Sequence, residues 1–267
     1  MSVQFDPPRG LNQAHLGAFW VRQKCSLPIV RAMQPITTTN EVFGSQGQWL
    51  PPSFELELTN EPECRLQMTS SDDQWMCQVQ RNRLVVNWRK RGEEYPRFDS
   101  TWDRFNAAWH DWQVFLGELK MAPLRLRLWE LTYVNRIPKA NLWSQPGDWH
   151  KVFPGLWSGS FAVAEGVELR GFQGQWVWES RDPPARLYVE PKPGRSVEEP
   201  HEDILLLSLT ARGVVGRSGS DPDVGIDTKT DPLESGLNFG HDLIVGTFDR
   251  IASDAAKLQW GRHAGHH

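Results

Sequence analysis

Residues 84–102 join a strand, a charged turn and the start of a helix, and they constrain the fold more than any other part of the chain. Residues 84–88 include two valines and a tryptophan, which favour a buried strand. Residues 89–94 are five charged side chains and a glycine, which predict a turn. An aromatic run follows directly. The segment therefore predicts a sheet strand that leads into a packed helix.

The aromatic run has the period of a helix. Its apolar positions are Trp102, Phe105, Trp109, Trp112 and Leu116. Steps of three and four residues place them on one helix face. Ser100 and Asp103 resemble a capping box, and Gly117 and Pro123 supply a stop, so we expect a helix near 101–119. Aromatic faces of this kind usually pack on a sheet, and a stacking platform for a planar ligand is the alternative.

Alternating patterns predict strands on both sides of this helix. They cover 54–59, 75–80, 84–88 and 124–137, with a hairpin turn at 81–82. The second half repeats the pattern more weakly, with strands at 175–180, 186–190 and 204–211 and a helix at 238–260. One face of that helix would carry His241, Ile244, Phe248, Ile251, Ala255 and Leu258.

The predicted fold class is α+β, with antiparallel sheets that are each followed by a packing helix. Two related β-rich halves that share a core would fit an internal duplication. The first half is 1–138, a packed connection rich in Trp, Pro and Gly is 139–171, and the second half is 172–267. A flexible loop is expected near 212–236, which is rich in Gly, Ser and Asp.

The composition describes a globular protein. The net charge of -4 over 267 residues argues against a surface uniformly adapted to nucleic acid or to anionic membrane. No window approaches the apolar span of about 20 residues that a membrane helix needs. Cys25, Cys64 and Cys77 form no close pair, and no secretory signal is visible. We therefore expect a soluble, cytoplasmic protein with reduced thiols.

A basic group around Trp88 is the best candidate binding surface. The group consists of Arg81, Arg83, Trp88, Arg89, Lys90, Arg91 and Arg97. Arginine beside aromatic rings suits phosphate contact and base stacking. Glu93 and Glu94 would neutralise the turn, so a structural ion-pair cluster is the favoured alternative.

Catalytic and metal-binding patterns are weaker. Glu55, Glu57 and Glu130 could project from adjacent strands as an acid and a base, but alternating carboxylates more often form a solvated sheet face. The pair 241–242 lacks the further histidines of a metal phosphohydrolase, and the C-terminal histidines are typical of a frayed tail. We assign no catalytic residue, metal ligand or cofactor, and a non-catalytic role is favoured.

Three motifs carry a resemblance to a known family. Residues 86–89 read VNWR, 94–98 read EYPRF and 130–138 read ELTYVNRIP, and a terminal helix contains His241 and Phe248. Together they resemble a sporadically distributed family of uncharacterised prokaryotic proteins, over most of the chain and with a first strand shortened to 2–5. The resemblance implies no activity, substrate or catalytic residue. Sporadic distribution is typical of genes on mobile or defence-related islands.

The sequence thus predicts a prokaryotic binding or interaction protein, an accessory subunit or regulator of a mobile-element or defence locus, whose partner is another protein. The alternative is a nucleic-acid-binding or nucleic-acid-processing component that uses the arginine and tryptophan surface around Trp88.

Overall fold

The structure is a computed structural model. It describes residues 1–44, 63–92, 95–139, 141–157, 165–196, 201–216 and 231–260. The strands are β1 (Ser2–Phe5), β2 (Ile29–Met33), β3 (Arg65–Thr69), β4 (Trp75–Gln80), β5 (Arg83–Trp88), β6 (Leu126–Pro138), β7 (Trp176–Arg181), β8 (Pro184–Arg195) and β9 (Asp203–Val214). The helices are α1 (Gln13–Gln23), α2 (Phe98–Glu118), α3 (Trp149–Val152), α4 (Pro232–Ile251) and α5 (Asp254–Gln259).

The described strands form an antiparallel sheet in the order β2-β3-β4-β5-β1-β6-β9-β8-β7. The predicted α+β class is confirmed in this form. The first strand of the chain occupies the middle of the sheet, with Val3 opposite Leu84 of β5 on one side and Trp129 of β6 on the other. The predicted hairpin turn at 81–82 is also confirmed, because Gln80 pairs with Arg83 across it.

The chain folds into two compact units. Unit 1 comprises Met1–Glu130, Arg181–Pro184 and Gly213–Leu237, and unit 2 comprises Leu131–Ser180, Ala185–Arg212 and Asn238–His267. The division at 138 and 171 that the sequence suggests stays a prediction. The predicted strand at 54–59 and residues 217–230 of the predicted loop lie outside the described residues.

The core of unit 1 forms where the aromatic face of α2 meets the sheet. The ring centroids of Phe5 in β1 and Trp109 in α2 are 5.8 Å apart. Phe19 of α1 meets Trp112 edge-on at 4.9 Å. Trp112, Phe19 and Phe5 are fully buried, and aromatic pairs add to the stability that burial alone provides. The prediction that this helix packs on a sheet is confirmed.

The ends of α2 differ from the prediction. The helix begins at Phe98, and its N-cap residue, Arg97, makes no side-chain capping hydrogen bond, so the capping box assigned to Ser100 is wrong. At the other end Lys120 adopts a φ of 55°, and its N–H donates to the carbonyl oxygen of Gly117 at 2.9 Å. This left-handed residue closes the helix as glycine usually does.

The long C-terminal helix is interrupted. α4 ends at Ile251, and Ser253 caps the separate helix α5 by accepting a hydrogen bond from the backbone N–H of Ala256. Leu258 is therefore 66% exposed instead of lying on a continuous apolar face with Ile244. The prediction of one helix over 238–260 is wrong because serine at this position starts a new helix.

Unit 2 contains a cluster of packed tryptophans between residues 141 and 157. Trp143, Trp149 and Trp157 are buried. The ring centroids of Trp143 and Trp149 are 6.0 Å apart, and the ring centroids of Trp157 and Trp176 of β7 are 5.3 Å apart. These tryptophans form a small aromatic core.

Candidate functional site

One face of the sheet in unit 1 is polar. Side chains alternate between the two faces of a strand. The ring of Phe5 packs on α2, so the side chain of Gln4 projects from the opposite face of β1. The register places Gln4 beside Arg83 of β5, which in turn lies opposite Gln80 of β4. Gln4, Gln80 and Arg83 are nevertheless buried. A polar face that is buried must satisfy its hydrogen bonds within the protein.

Two glutamines on this face bind the backbone of residues 35–42, which we call the 35–42 segment. Gln4 donates from Nε2 to the carbonyl oxygen of Thr39 at 2.9 Å and accepts from its N–H at 3.0 Å. Gln80 contacts Ile36 in the same way, at 2.9 and 2.8 Å. Each side-chain amide thus satisfies the donor and the acceptor of one residue, as a neighbouring strand would.

Arg83 orients this arrangement. Its side chain is only 4% exposed, and Nη2 donates to Oε1 of Gln4 at 2.5 Å and to Oγ1 of Thr39 at 3.0 Å. Nη1 lies 3.7 Å from Oε1 of Glu130 in β6. Sequence reasoning placed Arg83 in a binding surface and Glu130 among candidate acids, and the structure places both in this network. Glu55 and Glu57 lie outside the described residues.

The other residues of the basic group lie at the two ends of β5. Arg81 forms an ion pair with Glu63 at the hairpin end. Trp88 is half-buried at the far end and meets Tyr95 edge-on at 5.2 Å. Since a strand rises about 3.3 Å per residue, the two ends are about 17 Å apart. The structure therefore places Arg81 and Trp88 at opposite ends of β5, with Arg83 buried beside the hairpin turn.

The remaining basic residues of the predicted binding surface follow the far end of β5. Arg89 and Arg91 both form ion pairs with Asp73. The hydrogen bond from Arg91, followed by the positive charges of the nearby arginines, lowers the pKa of Asp73. Lys90 and Arg97 are exposed. Glu93 and Glu94, which were expected to neutralise this turn, lie outside the described residues.

A groove of about 1090 Å³ runs beside the polar face, lined by the 35–42 segment, the turn at 81–82 and the start of β6. Its walls carry charges of both signs. Arg127 donates from Nε to Oδ1 of Asp6 at 2.6 Å, and Arg125 lies 3.9 Å from the same carboxylate. The side chain of Arg125 is 76% exposed. This groove is the larger of the two cavities described in unit 1.

A smaller cavity of about 360 Å³, which we call the arginine pocket, lies on the same unit. Its lining residues are Ile29, Arg31, Gln67, Thr69, Asp73, Arg89 and Arg91. Sequence reasoning found Arg89 and Arg91 but missed Arg31, because no pattern predicted β2. Residues 29–33 read IVRAM, which does not alternate between apolar and polar side chains and so does not identify a strand.

His241 occupies a separate place in unit 2. Its Nδ1 lies 2.8 Å from the hydroxyl of Tyr133, so the ring is held by a hydrogen bond between α4 and β6. Across the described ranges, no three His, Cys, Asp or Glu side chains form a group that could hold a metal ion. His263, His266 and His267 lie outside those ranges.

Comparisons with protein-family profiles, curated proteins and solved structures found no match. Within the part of the chain that the structure describes, no helix combines the length and the hydropathy needed to cross a bilayer.

Proposed function

We propose that the protein is a non-catalytic interaction protein, an accessory subunit or regulator, that binds a partner protein at the groove of unit 1. The supporting observation is the way Gln4 and Gln80 hold the backbone of the 35–42 segment through paired hydrogen bonds. Hydrogen bonds to backbone groups give affinity for an extended peptide, and neighbouring side-chain contacts give specificity. The groove lies beside this segment, and Gln4 and Gln80 both line it.

The size and charge of the groove support a peptide as its occupant. Its volume of about 1090 Å³ is at the upper limit for small-molecule pockets, which span about 300–1,000 Å³. Its walls hold three acidic and three basic side chains: Asp6, Glu41, Glu63, Arg81, Arg125 and Arg127. Mixed charges favour a partner segment of complementary pattern, because electrostatic complementarity contributes more to specificity than to affinity.

Affinity purification from the native host tests this proposal, with mass spectrometry of the proteins that co-elute. We expect Arg125→Glu to reduce recovery of the partner, since it reverses a charge on an exposed groove wall. Arg170→Glu is the matched control, because that side chain is 88% exposed in unit 2. Equal recovery with both variants would remove the groove as the binding site.

The proposal places the partner in the cytoplasm of a prokaryote and the gene at a mobile-element or defence locus. The support is the family resemblance together with the three cysteines, all of which are free thiols. Free thiols suit a reducing compartment. Fractionation of the native host, followed by immunodetection, checks the location, and recovery from an extracellular fraction would contradict it.

We also propose that the fold arose by internal duplication. The order β1-α1-β2-β3-β4-β5-α2 is followed by β6-α3-β7-β8-β9-α4. In each series the first strand lies beside the last, β1 next to β5 and β6 next to β9. The second series has no counterpart of β2 among the described residues. Superposition of β3-β4-β5-α2 on β7-β8-β9-α4 tests the idea, and a fit of the strands without the helix would refute it.

Nucleic-acid binding is the second candidate function. It is supported by Arg89, Lys90 and Arg91, which directly follow Trp88 at the end of β5, and by Arg97, which is exposed. An electrophoretic shift with single-stranded and double-stranded DNA and RNA tests it, and we expect affinity to fall steeply as salt rises. Absence of any shift at low salt would eliminate this candidate.

A further inference from the structure

The arginine pocket concentrates positive charge on the polar face of unit 1. Arg31 lies opposite Gln67 on the neighbouring strand, and Ile29 lies opposite Thr69, so β2 and β3 form one side of the cavity. Arg89 and Arg91 reach it from the end of β5. Asp73 is the one acidic lining residue. Three guanidinium groups around one carboxylate leave two positive charges uncompensated within the pocket.

Asp73 fixes the geometry of two of these arginines. Its Oδ2 accepts a hydrogen bond from Nε of Arg91 at 2.9 Å, and its Oδ1 pairs with Arg89. Nε of Arg89 is a buried donor that has no hydrogen-bond partner. Within the described ranges the side chain of Arg31 makes no hydrogen bond or ion pair, and its charge acts on Asp73 from a distance. The pocket thus holds positioned arginines with spare hydrogen-bonding capacity.

We propose that the arginine pocket binds a terminal phosphate group, a phosphomonoester dianion, through Arg31, Arg89 and Arg91. Guanidinium groups present paired donors that match phosphate oxygens. The two uncompensated positive charges match the two negative charges of a phosphomonoester. An internal phosphodiester, which carries a single negative charge, would neutralise only one of them. Thr69 and Gln67 add neutral hydrogen-bonding groups to the wall. The site is distinct from the groove and goes beyond the proposed partner binding.

The volume of the pocket also favours a terminal phosphate. About 360 Å³ accommodates a phosphate with a small attached group, near the lower limit for ligand sites. A nucleic-acid strand needs a continuous positive track for successive phosphates. The pocket instead gathers its three arginines around one point.

Isothermal titration of the purified full-length protein tests the proposal. The probes are inorganic phosphate, phosphoserine and a nucleoside monophosphate, with dimethyl phosphate as the monoanionic comparison. We expect saturable binding of a monoester that is at least about ten-fold tighter than binding of dimethyl phosphate, as one lost charged hydrogen bond implies. A preference among the three monoesters identifies the source of the phosphate.

Arg31→Gln is the main variant, because Arg31 is exposed and its replacement leaves the core intact. We expect about ten-fold weaker binding. Arg22→Gln is the control, since Arg22 pairs with Glu118 away from the pocket, and it should bind like the unchanged protein.

Two results would overturn the assignment. One is the absence of saturable binding for all three monoesters. The other is an equal loss of affinity in Arg31→Gln and Arg22→Gln, which would indicate a diffuse charge effect. Arg125 does not line the arginine pocket, so Arg125→Glu should bind phosphate as the unchanged protein does even if it loses the partner protein. Failure of one proposal is therefore distinguishable from failure of the other.

Discussion

Gly236 of α4 should not tolerate alanine, because it packs directly on the indole of Trp129 in β6. A Cβ atom at this position would lie within 3.0 Å of Cδ1, Nε1 and Cε2 of the ring. Trp129 is only 2% exposed. A Cβ at Gly213 of β9 would lie 2.5 Å from Cζ2 of the same indole. The ring is therefore confined by two glycines within unit 1.

The expected cost follows from this geometry. Carbon atoms pack best about 3.5–4.0 Å apart, so the indole, whose nearest atom would lie 2.4 Å away, would have to retreat by about 1 Å. Overpacking of a core typically costs about 1–3 kcal/mol. Alanine gains about 1 kcal/mol over glycine in a helix interior. Because three ring atoms would lie this close, we place the overpacking cost in the upper part of that range, at about 2–3 kcal/mol. Subtracting the helix gain of about 1 kcal/mol leaves an expected decrease of about 1–2 kcal/mol in the free energy of unfolding of Gly236→Ala.

Gly246→Ala is the matched control in the same helix. A Cβ there would meet no atom within 4 Å, so helix propensity alone should raise stability by about 0.5–1 kcal/mol. Urea titration followed by far-ultraviolet circular dichroism measures both variants, and equal slopes would show that the same unfolding transition is compared. If Gly236→Ala proved as stable as Gly246→Ala, the confinement of Trp129 would be refuted.

Three further predictions concern stability and reactivity. Lys120→Gly should raise the urea midpoint by the equivalent of about 1 kcal/mol, since glycine adopts a φ of 55° without the penalty of a side chain. A hydrogen bond from Lys151, together with donors from residues 144 and 145, lowers the pKa of Asp148. The stabilisation is therefore present above the unfolded pKa of about 4 and is lost as pH falls through the folded pKa. Asp148→Asn should consequently destabilise the protein at pH 7 and flatten its acid transition, and an unchanged pH profile would contradict this. Cys25 is exposed, whereas burial raises the pKa of Cys77 to about 12, so a thiol reagent should label Cys25 rapidly and Cys77 only after unfolding, as peptide mapping would detect.

The elements that the sequence predicts best are those whose stability comes from their own side chains. α2 is recognisable because Phe105, Trp109 and Trp112 repeat at helical spacing and are buried together. Its ends are not recognisable, because Arg97 offers no capping side chain and Lys120 is an unusual residue for a left-handed closure. Termini depend on local backbone geometry that residue type alone does not specify.

β2 shows the opposite case. Its five residues are largely exposed, so burial imposes no alternating pattern on them. The strand exists because Ile29 to Met33 pair with β3, residue by residue from Thr69 to Arg65. Such pairing joins segments that are distant in sequence and therefore leaves no local signal. The same distance hides Arg31 from any sequence-based list of pocket residues.

The role of Arg83 was hidden for a related reason. A charged residue next to a hairpin turn is typical of a solvated surface. Its burial depends on the position of β1 between β5 and β6, which brings Gln4 next to Arg83 and Glu130 of the following strand within 3.7 Å of it. Only the order of the strands reveals that this arginine completes an internal network.

The two faces of β1 link the core of unit 1 to its candidate binding groove. Phe5 packs against the aromatic face of α2, while Gln4 on the other face receives a hydrogen bond from Arg83 and binds the backbone of Thr39. A buried guanidinium without partners would strongly destabilise the protein. The burial of Arg83 therefore depends on its contacts with Gln4, Thr39 and Glu130. These hydrogen bonds connect the wall of the groove to the buried core, and a partner would therefore meet a preformed surface.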